Sequence, residues 1–538
     1  MSASTERKNR QATIEAGTNK KLEAQRKRDE KKAKENRTVA ICVAVVAVIV
    51  IAAILLNVIP AIKNAKELKR YTDGVAVTVG ERSYSPAEVG YLYFNEYSNY
   101  ITNNYYYAMI FGLDTSKGPV GLGSQPYSAF QVEGKEFGTW RDYFLDAVYT
   151  RVAQVQGLLK YAAANGIELT QEEKDTVETN VSGYKTYASQ YGYANVDQFL
   201  SQNIATGLTL DMIRSLELDN SLAAKAYTAF TDSLSFSDEE LKEEYASFNG
   251  EYDSFDYAVY TVAAESGEDG EINDRARLEA DAEADAIIMS YRNGDDVEDL
   301  YERLNGYIEE MLGGSASRSE GVTGSYLSGD YSEWLRDASR QPGDITKITG
   351  DTGSTVVLFL GRETAEYPTV NVRHILIKAE GGEDGVWSDE ALAAAKARAE
   401  EILAEYEAGE KTEERFAELA KQYSEDDSSK EDGGLYENVH KGQMVAEFND
   451  WCFADRQAGD TGIVYGTNGG YAGYHVMYYA GQGENYSDKL ANDSLLARAV
   501  EEFLDANSPA AVPGAEEALV DPVAEAPATA EETPAAAQ

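Results

Sequence analysis

Residues Val39–Ile59 read VAICVAVVAVIVIAAILLNVI, 21 positions without a charge. At about 1.5 Å of rise per residue, this run forms a helix of about 30 Å, the thickness of the hydrocarbon core of a bilayer. It is longer than the roughly 7–15-residue apolar core of a cleaved signal peptide. No small-x-small cleavage site follows before Lys63–Lys69, and Cys42 stands at the start of the run, where a lipid-modification signal would not place it. The run also divides the charge. Residues 1–37 carry 12 Lys/Arg and 6 Asp/Glu, and the other 501 residues carry 36 and 87, so a net charge of −45 splits into +6 and −51. The positive-inside rule then keeps the basic tail in the cytoplasm as a topology signal and sends residues 60–538 outside. The expectation is a cell-membrane protein with a single uncleaved transmembrane helix over residues 38–59.

Composition removes several function classes. The acidic excess excludes a nucleic-acid partner held by broad phosphate attraction. Two cysteines in 538 residues exclude a disulfide scaffold and a Cys-ligated metal site. With 43% apolar and 26% charged residues, the chain is too hydrophobic for wholesale disorder.

Outside the anchor, residues 74–250 read as a helical domain behind a short β piece, Val75–Val79, and a turn at Gly80-Glu81. Phe144, Leu145, Val148, Val152, Val155, Leu158 and Leu159 recur at helical steps. Asn165-Gly166 stops that helix, and Thr170 with Glu173 and Ser237 with Glu240 form capping boxes. A Tyr-rich stretch (Tyr91, Tyr93, Phe94, Tyr97, Tyr100, Tyr105, Tyr106, Tyr107) has helical spacing and is expected to pack as core.

Residues 255–365 and 370–483 repeat one order. A β run (Phe255–Val262, Val370–Lys378) is followed by two helices (Ala276–Tyr291 and Val297–Met311; Ser388–Tyr406 and Glu413–Tyr423) and a closing strand (Thr355–Gly361, Gly473–Tyr479). Glu333-Trp334 with Arg340-Gln341-Pro342-Gly343-Asp344 matches Asp450-Trp451 with Arg456-Gln457-Ala458-Gly459-Asp460. Residues 486–507 read as one further amphipathic helix. Residues 508–538, rich in Pro, Ala and Glu, are expected to be a disordered tail.

All three histidines fall in the second copy. Its segments run Arg373-His374-Ile375-Leu376, then Phe416-Ala417-Glu418-Leu419 through Tyr423-Ser424-Glu425-Asp426, then Gly433-Gly434-Leu435. Gly442-Gln443-Met444 follows, with Phe448, and Gly473-Tyr474-His475-Val476 closes the copy. In this order and spacing the segments resemble the parvulin family of peptidyl-prolyl cis/trans isomerases over about 110 residues. The resemblance implies small antiparallel sheets flanked by helices. His374 and His475 match the paired histidines, and Asp426 the position held by Cys or Asp. Met444 and Phe448 match the wall that receives the proline ring, with Leu435, Gln443 and Phe453 as companions. Thr467 matches a hydroxyl residue near the second histidine. Tyr436 departs from the family pattern at the pocket rim. No cofactor and no metal are implied; a three-histidine zinc site through His440 lacks metal-type spacing.

The chemistry suits these residue types. Rotation about a peptide bond meets a barrier of about 18–20 kcal/mol. Lowering it takes a grip on the ring and stabilisation of the twisted amide, without bond making.

The first copy has Val259 where His374 stands and Val356 near the place of His475, so it reads as a degenerate, non-catalytic module. The acidic loop after His374's strand (Glu380, Glu383, Asp384, Asp389) argues against phosphate-directed specificity. Ahead of such modules, the helical region resembles the chaperone domain of exported foldases of the PrsA, SurA and PpiD kind. The reading is a multidomain α plus α+β membrane-anchored foldase acting on unfolded or newly exported polypeptides. The alternative is a holdase whose parvulin modules are architecture. An adhesin reading rests on the Tyr-rich stretch alone, and a homodimer is left open.

Overall fold

The computed structural model describes residues 65–520, apart from 130, 133, 269, 291–295, 382–384 and 469. The expected membrane span, the basic tail and residues 521–538 lie outside the described residues. Among those described, no helix is long and apolar enough to cross a membrane. Two compact units are present: Met1–Ser235 with Arg498–Gln538, and Phe236–Ala497.

The first unit is mostly helical, with α1 (Ala65–Thr72), α2 (Pro86–Ile110), α3 (Trp140–Ala164), α4 (Gln171–Gln190), α5 (Val196–Asn203) and α6 (Leu210–Ser233). Local chemistry sets the starts. Ser85, Thr139 and Thr170 each accept the N3 amide, while the N3 carboxylate returns to the cap's own amide. On α3, Phe144, Leu145, Val148, Val152 and Leu158 are buried, and Val155 and Leu159 partly so.

The Tyr-rich stretch divides. Asn104 leaves helical geometry (φ −131°, ψ 27°) and breaks the facial periodicity of α2. Tyr91, Tyr93, Phe94 and Tyr97 before it are core, and Tyr100 packs edge-on to Phe144 at 5.5 Å. Tyr105, Tyr106 and Tyr107 after it are 55%, 74% and 56% exposed, contrary to the expectation of packing.

A hairpin, β1 (Val77–Val79) and β2 (Arg82–Tyr84), turns at Gly80. Residues 511–513, expected to be disordered, instead pair antiparallel with β1, and Val520 is buried in the same core. The open edge of β1 offers unpaired backbone groups, and Pro513 ends the added strand, where its missing N–H costs little.

The second unit opens with α7 (Asp238–Ser247), capped by the Ser237–Glu240 box. The first module follows, with β3 (Ser254–Ala263), α8 (Asp274–Ser290), α9 (Val297–Leu312), β4 (Ser317–Thr323), α10 (Ser332–Arg336), β5 (Ile345–Gly350) and β6 (Gly353–Glu363). The second module has β7 (Pro368–Lys378), α11 (Asp389–Ala408), α12 (Glu413–Tyr423), β8 (Leu435–Val439), α13 (Ala446–Phe453), β9 (Thr461–Asn468) and β10 (Tyr471–Asn485). A last helix, α14, spans Tyr486–Asn507.

The sheets are ordered β4-β3-β6-β5 and β8-β7-β10-β9, the same antiparallel topology twice. The repeated Arg-Gln-x-Gly-Asp motif builds the same turn in both. Gly343 and Gly459 donate to the carbonyls of Phe359 and Tyr479, whose amides return to Asp344 and Asp460. Arg340 and Arg456 each lie over the ring of the preceding Trp334 and Trp451.

Strand alternation gives the second sheet two different faces. Ile375, Ile377, Val476 and Tyr478 lie under α11 and α12. Val370, Val372, Met477 and Tyr479 lie under the short α13 on the other face, which also carries His374 and His475.

A polar knot ties the first module to its flanks. Asp253, 1% exposed, accepts from Arg362, from the Tyr245 hydroxyl and from the Ala365 amide. Asp253→Ala strands a guanidinium and a buried amide, and is expected to destabilise the second unit by about 3–5 kcal/mol, read as a lowered urea midpoint.

Candidate active site

His374 on β7 faces Met477 on β10, and His475 faces Leu376, so the histidines meet diagonally on one sheet face. Their rings stack at 5.1 Å and 23°, with Nδ1 to Nδ1 at 2.9 Å. Two glycines make room. A Cβ on Gly434 (φ +72°) would stand 2.1 Å from the His374 carbonyl oxygen, and one on Gly466 would stand 2.5 Å from His475 Nε2.

Hydrogen bonds tie these rings into one network. Asp426 Oδ2 lies 2.8 Å from His374 Nε2 and accepts from the hydroxyls of Ser429 (2.6 Å) and Tyr436 (3.0 Å). Its Oδ1 accepts from the Ser428 hydroxyl at 2.6 Å and the Ser428 amide at 3.1 Å. Burial alone would raise this carboxyl's pKa, but hydrogen bonds from His374, Ser428 and Ser429 outweigh it and hold the group well below the usual carboxylate range. Ionised Asp426 requires a proton on His374 Nε2. His374 Nδ1 and His475 Nδ1 share one proton between them, and His475 Nε2 meets the Tyr471 hydroxyl at 3.0 Å. One hydrogen-bonded chain links Tyr471, His475, His374 and Asp426. Burial first, and then the neighbouring His374, hold His475 down to about 3.

Phe448 closes the apolar side. It is 2% exposed and stands edge-on to both rings, at 5.4 Å from His374 and 5.3 Å from His475. Met444 and Phe453 are partly buried in the same cluster, and Phe453 also meets Tyr367 edge-on at 6.0 Å. Gln443 is exposed, and its Oε1 accepts from the His440 amide at 3.0 Å, closing the turn before Met444. Cys452 lies beneath, its thiol pushed up to about 12 by burial.

Leu435 does not join this wall. It pairs with Arg373, while its neighbour Tyr436 pairs with Val372, so alternation puts Leu435 on the opposite sheet face. Thr467 pairs with Ala472 and is likewise off the histidine face; its hydroxyl donates to the Tyr471 carbonyl. The hydroxyl at His475 is that of Tyr471. Tyr471 and His475 are four residues apart on one strand, a same-face spacing legible in the sequence, as is the Asp426-x-Ser428 turn signature. His440 stacks on Tyr486 at 4.5 Å.

In the first module, Val259 occupies the place of His374, as expected. The place of His475 belongs to Thr355 rather than Val356, because Val259 faces Val357 as His374 faces Met477.

Residues 356–477 match the PPIC-type PPIase domain family. The chain carries a parvulin-type peptidyl-prolyl cis/trans isomerase domain, and the constellation His374–Asp426–His475 lies inside the matched segment. No curated protein matches the chain. Among solved structures, it is similar to the PrsA peptidylprolyl isomerase of Bacillus anthracis, at 16% identity over 67% of this chain and 95% of that one, with a TM-score of 0.17. It is also similar to PrsA of Bacillus cereus (19% identity, 45% and 85% covered, TM-score 0.19) and to the foldase protein PrsA of Streptococcus pneumoniae (12%, 70% and 87%, TM-score 0.22).

The burial of His475 has a pH consequence. The folded-state pKa of His475 lies below its unfolded value of about 6.5, so its contribution is intact above that pH and is lost as pH falls toward 3, while the unfolded chain takes up a proton the site refuses. Asp426, also depressed, adds to the loss below about pH 4. Between pH 6.5 and 4 the second module should lose on the order of 3 kcal/mol. Urea midpoints reported by Trp451, in a chain with its other tryptophans replaced by Phe, check this. His475→Gln should flatten the slope over that range.

Proposed function

We propose that the chain is a membrane-anchored extracytoplasmic foldase. Its second module catalyses cis/trans isomerisation of X-Pro bonds in exported polypeptides, and its helical unit holds those polypeptides while they fold. The observation that carries the catalytic part is the buried, hydrogen-bonded histidine pair held against Phe448. A planar amide owes its stiffness to charge-separated resonance, which a polar solvent favours. Against Phe448 and Met444, with the buried imidazoles in place of water, that resonance form loses solvation. The twisted amide, whose charge is less separated, is then favoured relative to the ground state. Asp426 and the histidines act as orienting and electrostatic groups, with no nucleophile required.

Anchoring and export are supported by the uncharged run Val39–Ile59 and by the reversal of charge across it. The holding role is supported by Tyr105, Tyr106, Tyr107, Met109 and Ile110, five exposed large apolar side chains within six consecutive residues. The same patch favours the alternative reading, a holdase without catalysis.

The two readings separate in a protease-coupled isomerisation assay on the full-length chain with Ala-Pro peptides. Phe448→Ala and His374→Ala are each expected to lower kcat/KM by about tenfold or more. A folded chain that accelerates no peptide yet suppresses client aggregation would leave the holdase. Replacing Tyr105, Tyr106 and Tyr107 together by Ser should abolish aggregation suppression and leave peptide isomerisation within about twofold.

A further inference from the structure

Of His374, His475, Tyr471 and Asp426, only Asp426 lies outside the sheet. It stands in the loop between α12 and β8, and that loop must hold its carboxylate against a ring on β7. Ser424 anchors the start of the loop: its hydroxyl accepts from the Leu376 amide at 3.2 Å and from the Asp426 amide at 3.3 Å. The Glu425 amide donates to the Leu376 carbonyl at 2.9 Å. These bonds fix the backbone ahead of Asp426. Ser428 and Ser429, which bond the carboxylate itself, belong to the same loop and move with it.

Besides His374, one side chain among the described residues reaches the carboxylate from outside that loop. Tyr436 is the second residue of β8, opposite Val372, and so on the sheet face that carries His374. Its hydroxyl stands 3.0 Å from Asp426 Oδ2 and 2.7 Å from Ser428 Oγ. Its ring lies 5.3 Å from that of His374, tilted by 46°, and packs in one cluster with Phe448 and Met444. Oδ2 is also the oxygen that His374 Nε2 meets at 2.8 Å. Tyr436 therefore clamps, from the neighbouring strand, the oxygen that orients His374.

The first module supplies a comparison. Val259 stands in the place of His374, so Tyr257 stands in that of Val372, and the residue opposite Tyr257 is Ser319. Where the histidines are missing the tyrosine is missing too, although the strands pair in the same order.

We propose that Tyr436 is a positioning residue for the isomerisation: its hydroxyl holds the Asp426 carboxylate, and through it the His374 ring, in place beside the apolar wall. The proposal rests on the isomerase reading and adds a residue to it. Tyr436 works through Asp426 and needs no contact with the twisting amide. Removing the hydroxyl while keeping the ring leaves the wall filled but frees the loop to carry the carboxylate away from His374. Turnover then suffers more than binding.

The test is Tyr436→Phe in the full-length chain, read in two ways. In exchange NMR on an Ala-Pro peptide over a range of concentrations, kcat should fall about three- to tenfold, with KM within about twofold. With three histidines in the chain, the ring-nitrogen resonances of histidine-labelled protein can be assigned one by one. Those of His374 should move in Tyr436→Phe in the direction they take in Asp426→Asn. Those of His440, stacked on Tyr486, should stay in place and report an intact fold. Unmoved His374 resonances overturn the proposal whatever the rates do. Moved resonances with unchanged kcat overturn it by making the hydroxyl a structural tie, and a raised KM alone overturns it by making Tyr436 a wall residue only. A wild-type chain that accelerates no peptide overturns the isomerase reading itself, and the nitrogen resonances still report whether Tyr436 holds Asp426.

Discussion

A nitrogen–nitrogen contact of 2.9 Å between two histidines holds one proton, and the rest of the site is built around that contact. With Asp426 ionised, His374 must give its Nε2 proton to the carboxylate, its Nδ1 must share a proton with His475, and Tyr471 closes the chain. Each requirement has a structural cause. The long pairing of β7 with β10 brings the rings into stacking distance. Gly434 and Gly466 leave the space that a Cβ would fill. Phe448 covers both ring edges, so burial holds His475 neutral.

The first module shows that this polar chain is not what the fold requires. It has the same strand order, the same Arg-Gln-x-Gly-Asp turn and the same Trp–Arg stacking, with Val259 and Thr355 where the histidines stand. An apolar cluster of Phe255, Tyr257, Leu335, Val357 and Phe359 fills that face without a charge. Burying His374 and His475 at 3% and 4% exposure costs desolvation that such a cluster avoids. A polar network retained where a hydrophobic one suffices is the mark of a working site, and the two copies in one chain make the comparison internal.

Much of this was legible from residue order because local rules agreed with the fold. Capping boxes, the two-copy β-helix-helix-β pattern and the motif segments all rest on spacing within a few residues. Failures arose where the deciding contact is remote or where parity matters. Leu435 belongs to the motif segment, but only the pairing of β8 with β7 reveals which face it takes. Tyr436, a departure from the family pattern, is a donor to Asp426. Residues 511–513 carry no strand signal of their own; the open edge of β1, more than 400 residues earlier, recruits them. Tyr105–Tyr107 continue the aromatic run but lie past the irregular Asn104, which no periodicity announces.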